Sequence, residues 1–201
     1  MPSIYELKPK FQSLLRPLVQ KLAIGGVTPN QITISATLLS FGVGGLIWAF
    51  PNQPLILLSI PIALFLRMAL NAIDGMLARE HNMETKLGAI LNELGDVISD
   101  TAIYLPLALV NGIAPMMIVI VVLLSIFSEM TGVIAVAIGG HRRNDGPMGK
   151  SDRAFIFGFI GLLLGLGINP YPWINILLIL MGVSLCVTII NRSRKALEEV
   201  E

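Results

Sequence analysis

Charge is scarce in this chain. Of 201 residues only 13% are Asp, Glu, Lys or Arg, against 54% hydrophobic, and the mean hydropathy is +0.77. Soluble domains carry about a quarter charged residues, so the composition excludes an ordinary soluble fold and indicates an integral membrane protein. Cysteine is nearly absent. The single Cys186 excludes a disulfide framework, and its apolar surroundings predict a buried, inert thiol. No cleavable signal peptide is expected, because the first apolar run follows a polar, basic stretch. There is no internal repeat and no low-complexity segment. With a net charge of +1, no nucleic-acid partner is expected.

What is present is apolar sequence in long runs. Spans are expected near 30–50, 54–80, 86–110, 113–138, 153–168 and 172–193, each long enough to cross about 30 Å of hydrocarbon, with the fifth at the short limit. Glycines 158, 161, 165 and 167 mark that fifth segment as a packing helix. Ahead of them, Ser3 and Glu6 form a capping box. Ile4, Leu7, Phe11, Leu14, Leu15, Leu18 and Leu22 then recur at helical spacing among Lys8, Lys10, Arg16 and Lys21. This is a basic amphipathic helix for the membrane interface, with Pro9 and Pro17 as candidate breaks. Thr28-Pro29-Asn30-Gln31 reads as the start of the first span, with Thr28 as N-cap and Gln31 as its capping-box partner. The fold class is therefore an all-α integral membrane protein with six transmembrane helices and an N-terminal interfacial helix. Its parts are a juxtamembrane segment 1–27, a membrane domain 28–195 and a short acidic tail 196–201.

Basic residues set the orientation. Every Lys and Arg except Arg67 lies in the N-terminal segment, the 79–86 turn, the 141–153 loop or the tail from Arg192 to Lys195. The alternate connections, at 51–54, 111–112 and 169–172, carry no charge. This bias puts both termini on the cytoplasmic side.

The polar residues that remain inside apolar sequence concentrate in residues 71–100, which hold Asn71, Asp74, Asn92, Glu93, Asp96 and Asp100. Ionisable groups at membrane depth are costly and usually serve function. Asn71 and Asp74 are i, i+3 on one helix, and Asn92 and Asp96 are i, i+4 on the next, so each pair shares a face. Gly88, Gly95 and Ser99 fall near the Asn92 face, where small residues let helices approach. Carboxylate and amide oxygens facing each other across a narrow gap suit Mg²⁺, Mn²⁺ or Ca²⁺. With Asp74 five residues before Arg79 and Asn92 six after Lys86, the site lies roughly 8–9 Å below the cytoplasmic surface at about 1.5 Å per residue.

These residues resemble the signature of the CDP-alcohol phosphatidyltransferase family, D-x-x-D-G-x-x-A-R, eight residues, G-x-x-x-D-x-x-x-D. Asp74, Gly75, Ala78, Arg79, Gly88 and Asp96 match at the family's spacing, while Asn71 and Asn92 stand where the first and third aspartates would be. The stretch TPNQIT before the first span is also similar. The resemblance implies transfer of the phosphatidyl group of a CDP-alcohol, such as CDP-diacylglycerol, to an alcohol acceptor with release of CMP. It implies Mg²⁺ or Mn²⁺ held at Asp74, Asp96, Asn71 and Asn92. Asp96 would be the catalytic base, and Gly75, Ala78, Arg79 and Gly88 the CDP-alcohol contacts. The two asparagines remove two negative charges, for which Glu93 and Asp100 are candidate compensating acids. Family likeness also implies a homodimer in the bacterial cytoplasmic membrane.

The loop HRRNDGPMGKSDR, 141–153, is the second polar constellation. In members of the family this chain resembles that use phosphorylated acceptors, basic residues of this region bind the acceptor phosphate. The resemblance therefore implies Lys150 and Arg153 as candidate acceptor-binding residues, with Ser151 as a candidate cap and a lean towards a phosphorylated acceptor. The simpler reading is that Arg142 and Arg143 only flank a span. Arg67, too deep to be a flanking charge, is expected to pair with Glu129 or Asp100. His81 and His141 read as solvated. Two alternatives differ in class: a catalytically impaired relative that binds a CDP-lipid or a partner, and a small cation transporter. The one-sided acidic cluster and the retained Gly75, Ala78, Arg79 and Gly88 count against transport.

Overall fold

The computed structural model describes residues 4–201, with side chains from residue 10 onward. The described residues form helices and no strand: α1 Ile4–Ile24, α2 Pro29–Ala49, the single turn α3 Pro54–Leu57, α4 Ser59–Glu80, α5 Lys86–Tyr104, α6 Pro115–Ala137, α7 Lys150–Gly165 and α8 Trp173–Val200. A 3-10 segment, Leu105–Leu109, continues α5. The Ser3–Glu6 capping box lies outside the described residues. The helix that follows runs unbroken through Pro9 and Pro17.

Four stretches are long and apolar enough to cross a membrane: Pro29–Ala49, Pro54–Glu80, Pro115–Ala137 and Trp173–Val200. α5 carries Lys86, Glu93, Asp96 and Asp100, and α7 has 16 residues, so neither is in that set. α7 ends at Gly165 rather than near 168. Gly167 takes φ +82°, and the Gly167 and Ile168 N–H groups return to Leu164 and Leu163 carbonyls. That is a Schellman end, which needs a residue tolerant of positive φ. α8 runs on to Val200 and absorbs the acidic tail.

The chain divides into two compact units. In the first, residues 4–41 and 63–99, Val19 of α1 meets Ile32 of α2 and Ile73, Met76 and Leu77 of α4 in an apolar core. Leu15, Leu22, Ala23, Val27 and Leu70 pack around it. α1 is thus amphipathic in a particular way, with Leu14 and Leu18 left outward at 76% and 46% exposure. Arg16 forks onto Glu80 at 3.2 and 3.0 Å, tying α1 to the end of α4. Thr28 caps α2 as its sequence predicts: Gln31 N–H donates to Thr28 Oγ1 at 3.3 Å and Thr28 N–H to Gln31 Oε1 at 2.9 Å.

In the second unit, residues 42–62 and 100–201, α6 packs along α8 and α3 against α7. Gly161 and Gly165 justify the expectation of a packing helix. A Cβ at either would lie 2.6 Å from Ile60 or 2.4 Å from Leu58. Tyr104 stacks on Phe157 with ring centroids 3.9 Å apart. Cys186 is exposed on α8, not buried, because an apolar run in a membrane helix has an outward face as well as an inward one.

Candidate active site

The site forms where α2, α4 and α5 meet within the first unit. Asn71 and Asp74 share a face of α4 as their spacing requires, and Asp96 faces them from α5. The two helices are joined directly. Asn71 Nδ2 donates to Asp96 Oδ1 at 2.9 Å. Asp74 is 6% exposed and accepts from Thr33 Oγ1 on α2 at 2.9 Å. Thr33 is itself buried, and its hydroxyl also lies 3.1 Å from the Pro29 carbonyl. Arg67, at 4% exposure, brings Nη2 to 3.9 Å from Asp96 Oδ1. Asp96 is a partner that the sequence reading did not name for it.

Close packing explains the geometry. A Cβ on Gly95 would lie 3.3 Å from both Thr33 and Thr37, and one on Gly88 2.8 Å from Asn30 Oδ1. Ser99 Oγ donates to Thr37 Oγ1 at 3.3 Å. The small residues of α5 therefore seat it against α2, and α2 supplies a third wall that sequence spacing did not reveal. Thr33 is the functional candidate missed. Its signal was a hydroxyl one turn inside a capped helix, with no spacing rule linking it to Asp74, 41 residues later.

The other sequence candidates distribute as follows. Arg79 is exposed at the end of α4, with its Nη2 2.8 Å from where a Gly75 Cβ would stand, so Gly75 makes room for Arg79 itself. Ala78 is half-buried one turn after Asp74. Asn92 is exposed and Glu93 half-buried on the same helix as Asp96. Asp100 and Arg153 belong to the second unit, where they pair with each other at 3.3 Å. Lys150 opens α7. Ser151 does not cap that helix; Gly149 N–H donates to Asp152 Oδ2 at 2.8 Å, because Asp152 stands three residues on, where a side chain reaches back. His141 is 92% exposed yet engages Glu199 through its ring Nδ1.

Among the described residues no three His, Cys, Asp or Glu side chains are grouped to hold a metal ion. A cation at this site would have to use amide oxygens beside Asp74 and Asp96. The donor chemistry, two carboxylates with Asn71 and Asn92 close in sequence, is all hard oxygen and fits one divalent cation. Two cations would set four positive charges against two negative ones.

Helices long and apolar enough to cross a membrane, with carboxylate and amide side chains joined where α4 and α5 pack, define an all-helical membrane protein with a polar site between two of its helices. The chain belongs to the CDP-alcohol phosphatidyltransferase family, whose pattern matches residues 26–191. It is 46% identical over 195 residues to the inner membrane protein YnbA of Escherichia coli, covering 97% of this chain and 96% of that one. It is 25% identical to the phosphatidylinositol phosphate synthase of Mycolicibacterium smegmatis, covering 96% and 88% of the two chains. Its fold is that of the Mycobacterium tuberculosis phosphatidylinositol phosphate synthase. The CDP-DAG-bound crystal structure of that protein gives a TM-score of 0.74 at 22% identity, covering 92% of each chain. The same synthase in complex with manganese and citrate gives 0.71 at 23%, covering 90% of this chain and 87% of that one.

Proposed function

We propose that this chain moves the phosphatidyl group of a CDP-alcohol, CDP-diacylglycerol in the first instance, onto an alcohol, releasing CMP in phospholipid synthesis. The observation that carries the reading is the coupled set Asn71, Asp74, Asp96 and Thr33, built on the family's spacing where α2, α4 and α5 pack together.

The chemistry follows from the residues. The acceptor hydroxyl attacks the lipid-side phosphorus and must lose its proton as the new P–O bond forms. Asp96 takes that proton. Arg67, 3.9 Å away, holds a positive charge against the ionised carboxylate, and Asn71 fixes its orientation through Oδ1. Thr33 holds Asp74 in one rotamer. Gly75, Ala78, Arg79 and Gly88 bind the CDP moiety, Arg79 through its guanidinium. Asp74 and Asp96, helped by the amide oxygens of Asn71 and Asn92, would hold one Mg²⁺ or Mn²⁺, which when bound neutralises pyrophosphate charge. Glu93 lies on the same helix as Asp96 and, with Asp100, is a candidate compensating acid. Six membrane spans, cytoplasmic termini and an inner-membrane home complete the reading, supported by the basic-residue bias. A homodimer is carried as part of it.

One observation favours a binding-only relative. Asn71 gives Asp96 an amide donor where an aspartate would give it a carboxylate neighbour. The test is CMP release by purified protein with CDP-diacylglycerol, a divalent cation and a panel of alcohols. Acceptor-dependent release that falls at least about 100-fold in Asp96→Asn is expected, as for loss of a general base. CDP-lipid binding without turnover under every acceptor and metal would favour the binding-only relative.

A further inference from the structure

The second unit holds another buried charge cluster. Glu129, in the second half of α6 and 5% exposed, is ringed by three arginines from three parts of the chain. Its Oε1 accepts from Arg153 Nη2 of α7 at 3.0 Å and lies 3.6 Å from Arg192 Nη1 of α8. Its Oε2 accepts from Arg142 Nη2 of the 138–149 loop at 3.0 Å. Arg153 Nη2 also reaches Asp100 Oδ2 at 3.3 Å. Arg153 and Arg192 are each 1% exposed. Arg192 is further fixed by the Asp145 and Ser128 carbonyls. Gly132 permits this approach, since a Cβ there would lie 2.6 Å from the Arg143 carbonyl and 3.4 Å from Arg192 Nη1. Guanidinium groups converging in this way form an anion clamp. Here the anion at its centre is a side chain of the protein.

Charge and hydrogen bonding are not equally satisfied in this cluster. Three arginines face Glu129 and Asp100, which leaves a surplus of one positive charge. Yet Arg153 Nε and Nη1, and Ser128 Oγ, are buried with no hydrogen-bond partner among the described residues. Buried donors are seldom left so. The cluster therefore has two guanidinium N–H groups without oxygen acceptors, against a surplus of a single positive charge. A neutral hydroxyl compound supplies oxygens without charge. A phosphate monoester would bring about two negative charges against the Glu129 carboxylate.

We propose that Glu129 closes the Arg142–Arg153–Arg192 clamp to phosphate monoesters, so that the acceptor alcohol carries no phosphate. That the ligand is the acceptor rests on the transferase reading. The exclusion of phosphate by Glu129 stands without it. It reverses the lean towards a phosphorylated acceptor that the basic loop alone suggests, while keeping Arg153 as an acceptor-binding residue.

Thermal unfolding of the full-length protein in detergent, with inorganic phosphate against sodium chloride at matched ionic strength, tests the exclusion. Wild type gains no phosphate-specific stability. Glu129→Gln, which keeps the shape and drops the charge, loses stability in chloride, regains it in phosphate and binds phosphate at least about tenfold more tightly than wild type. Glu129→Asp keeps the charge and behaves as wild type. Wild type stabilised by phosphate as strongly as Glu129→Gln overturns the proposal. Wild type also carries a second test, CMP release with an alcohol and its phosphate monoester in competition. A preference of at least about tenfold for the unphosphorylated compound is expected, and the opposite preference overturns the proposal. CMP release with neither, beside the expected phosphate pattern, removes the transferase reading and leaves the closed clamp standing.

Discussion

At Asn71 the side chain that spans α4 and α5 is an amide, and its Nδ2 donates to Asp96 at 2.9 Å. One turn along the same face of α4, Asp74 accepts a hydroxyl hydrogen bond from Thr33 of α2. Hydrogen bonds to a charged partner contribute about 1.5–3 kcal/mol, so Thr33→Val, which keeps shape and removes the hydroxyl, should cut CMP release about tenfold or more while Thr33→Ser retains it. Equal activity in the two variants would show that Thr33 does not position Asp74. A residue outside the spans offers a pH test. Asp145, in the 138–149 loop, is held below the usual carboxylate range, first by its 2.7 Å bond from Lys195 and then by Arg143 at 2.8 Å. A carboxylate with a lowered folded pKa stabilises above its unfolded pKa of about 4 and loses that contribution as pH falls through the folded value. Protection of residues 139–149 against hydrogen exchange, relative to the intrinsic rate at each pH, should therefore be high at neutral pH and fall below about pH 4. Asp145→Asn should be weakly protected throughout, and an unchanged protection profile in that variant would refute the role.

The helices were legible to different depths. The α2 start was readable because Thr28 and Gln31 satisfy each other locally, with no tertiary help. The faces of α4 and α5 were readable because i, i+3 and i, i+4 spacing fixes them. The third wall was not, since nothing local links Thr33 to Asp74 or Thr37 to Ser99. Glu129 was expected only as a partner for Arg67, and only the fold brings Arg142, Arg153 and Arg192 to it. The early end of α7 is a Schellman turn at Gly167 that periodicity did not show, and the break at Leu58 falls where Gly165 comes close, a contact that no local pattern shows. Such contacts also predict effects of mutation. A Cβ on Gly44 would lie 2.0 Å from the Ala102 carbonyl, whereas one on neighbouring Gly45 meets nothing within 4 Å. Gly44→Ala should lower stability in detergent by about 1–3 kcal/mol, as overpacking does. Gly45→Ala should be neutral or slightly stabilising through helix propensity. Equal effects would mean that the Gly44 approach is not a tight contact.

Over the whole molecule, large apolar side chains point outward in number, among them Leu38, Phe41, Trp48, Phe65, Phe127, Leu180 and Val183. Water would penalise such a surface, whereas lipid accommodates it. Composition alone foretold this, and the matched signature in residues 71–96 foretold the family. The charges lost at positions 71 and 92 are the point on which function turns. On the proposed function, Asp74 and Asp96, with Arg67, Asn71 and Thr33 around them, suffice for turnover with one divalent cation. The most direct test compares metal-titrated CMP release by wild type and by the Asn71→Asp, Asn92→Asp double variant, each with CDP-diacylglycerol and unphosphorylated alcohols. Acceptor-dependent release by wild type, half-saturating as a single metal site, is the predicted result. An inert wild type beside an active double variant would contradict it and make the natural site a disabled one.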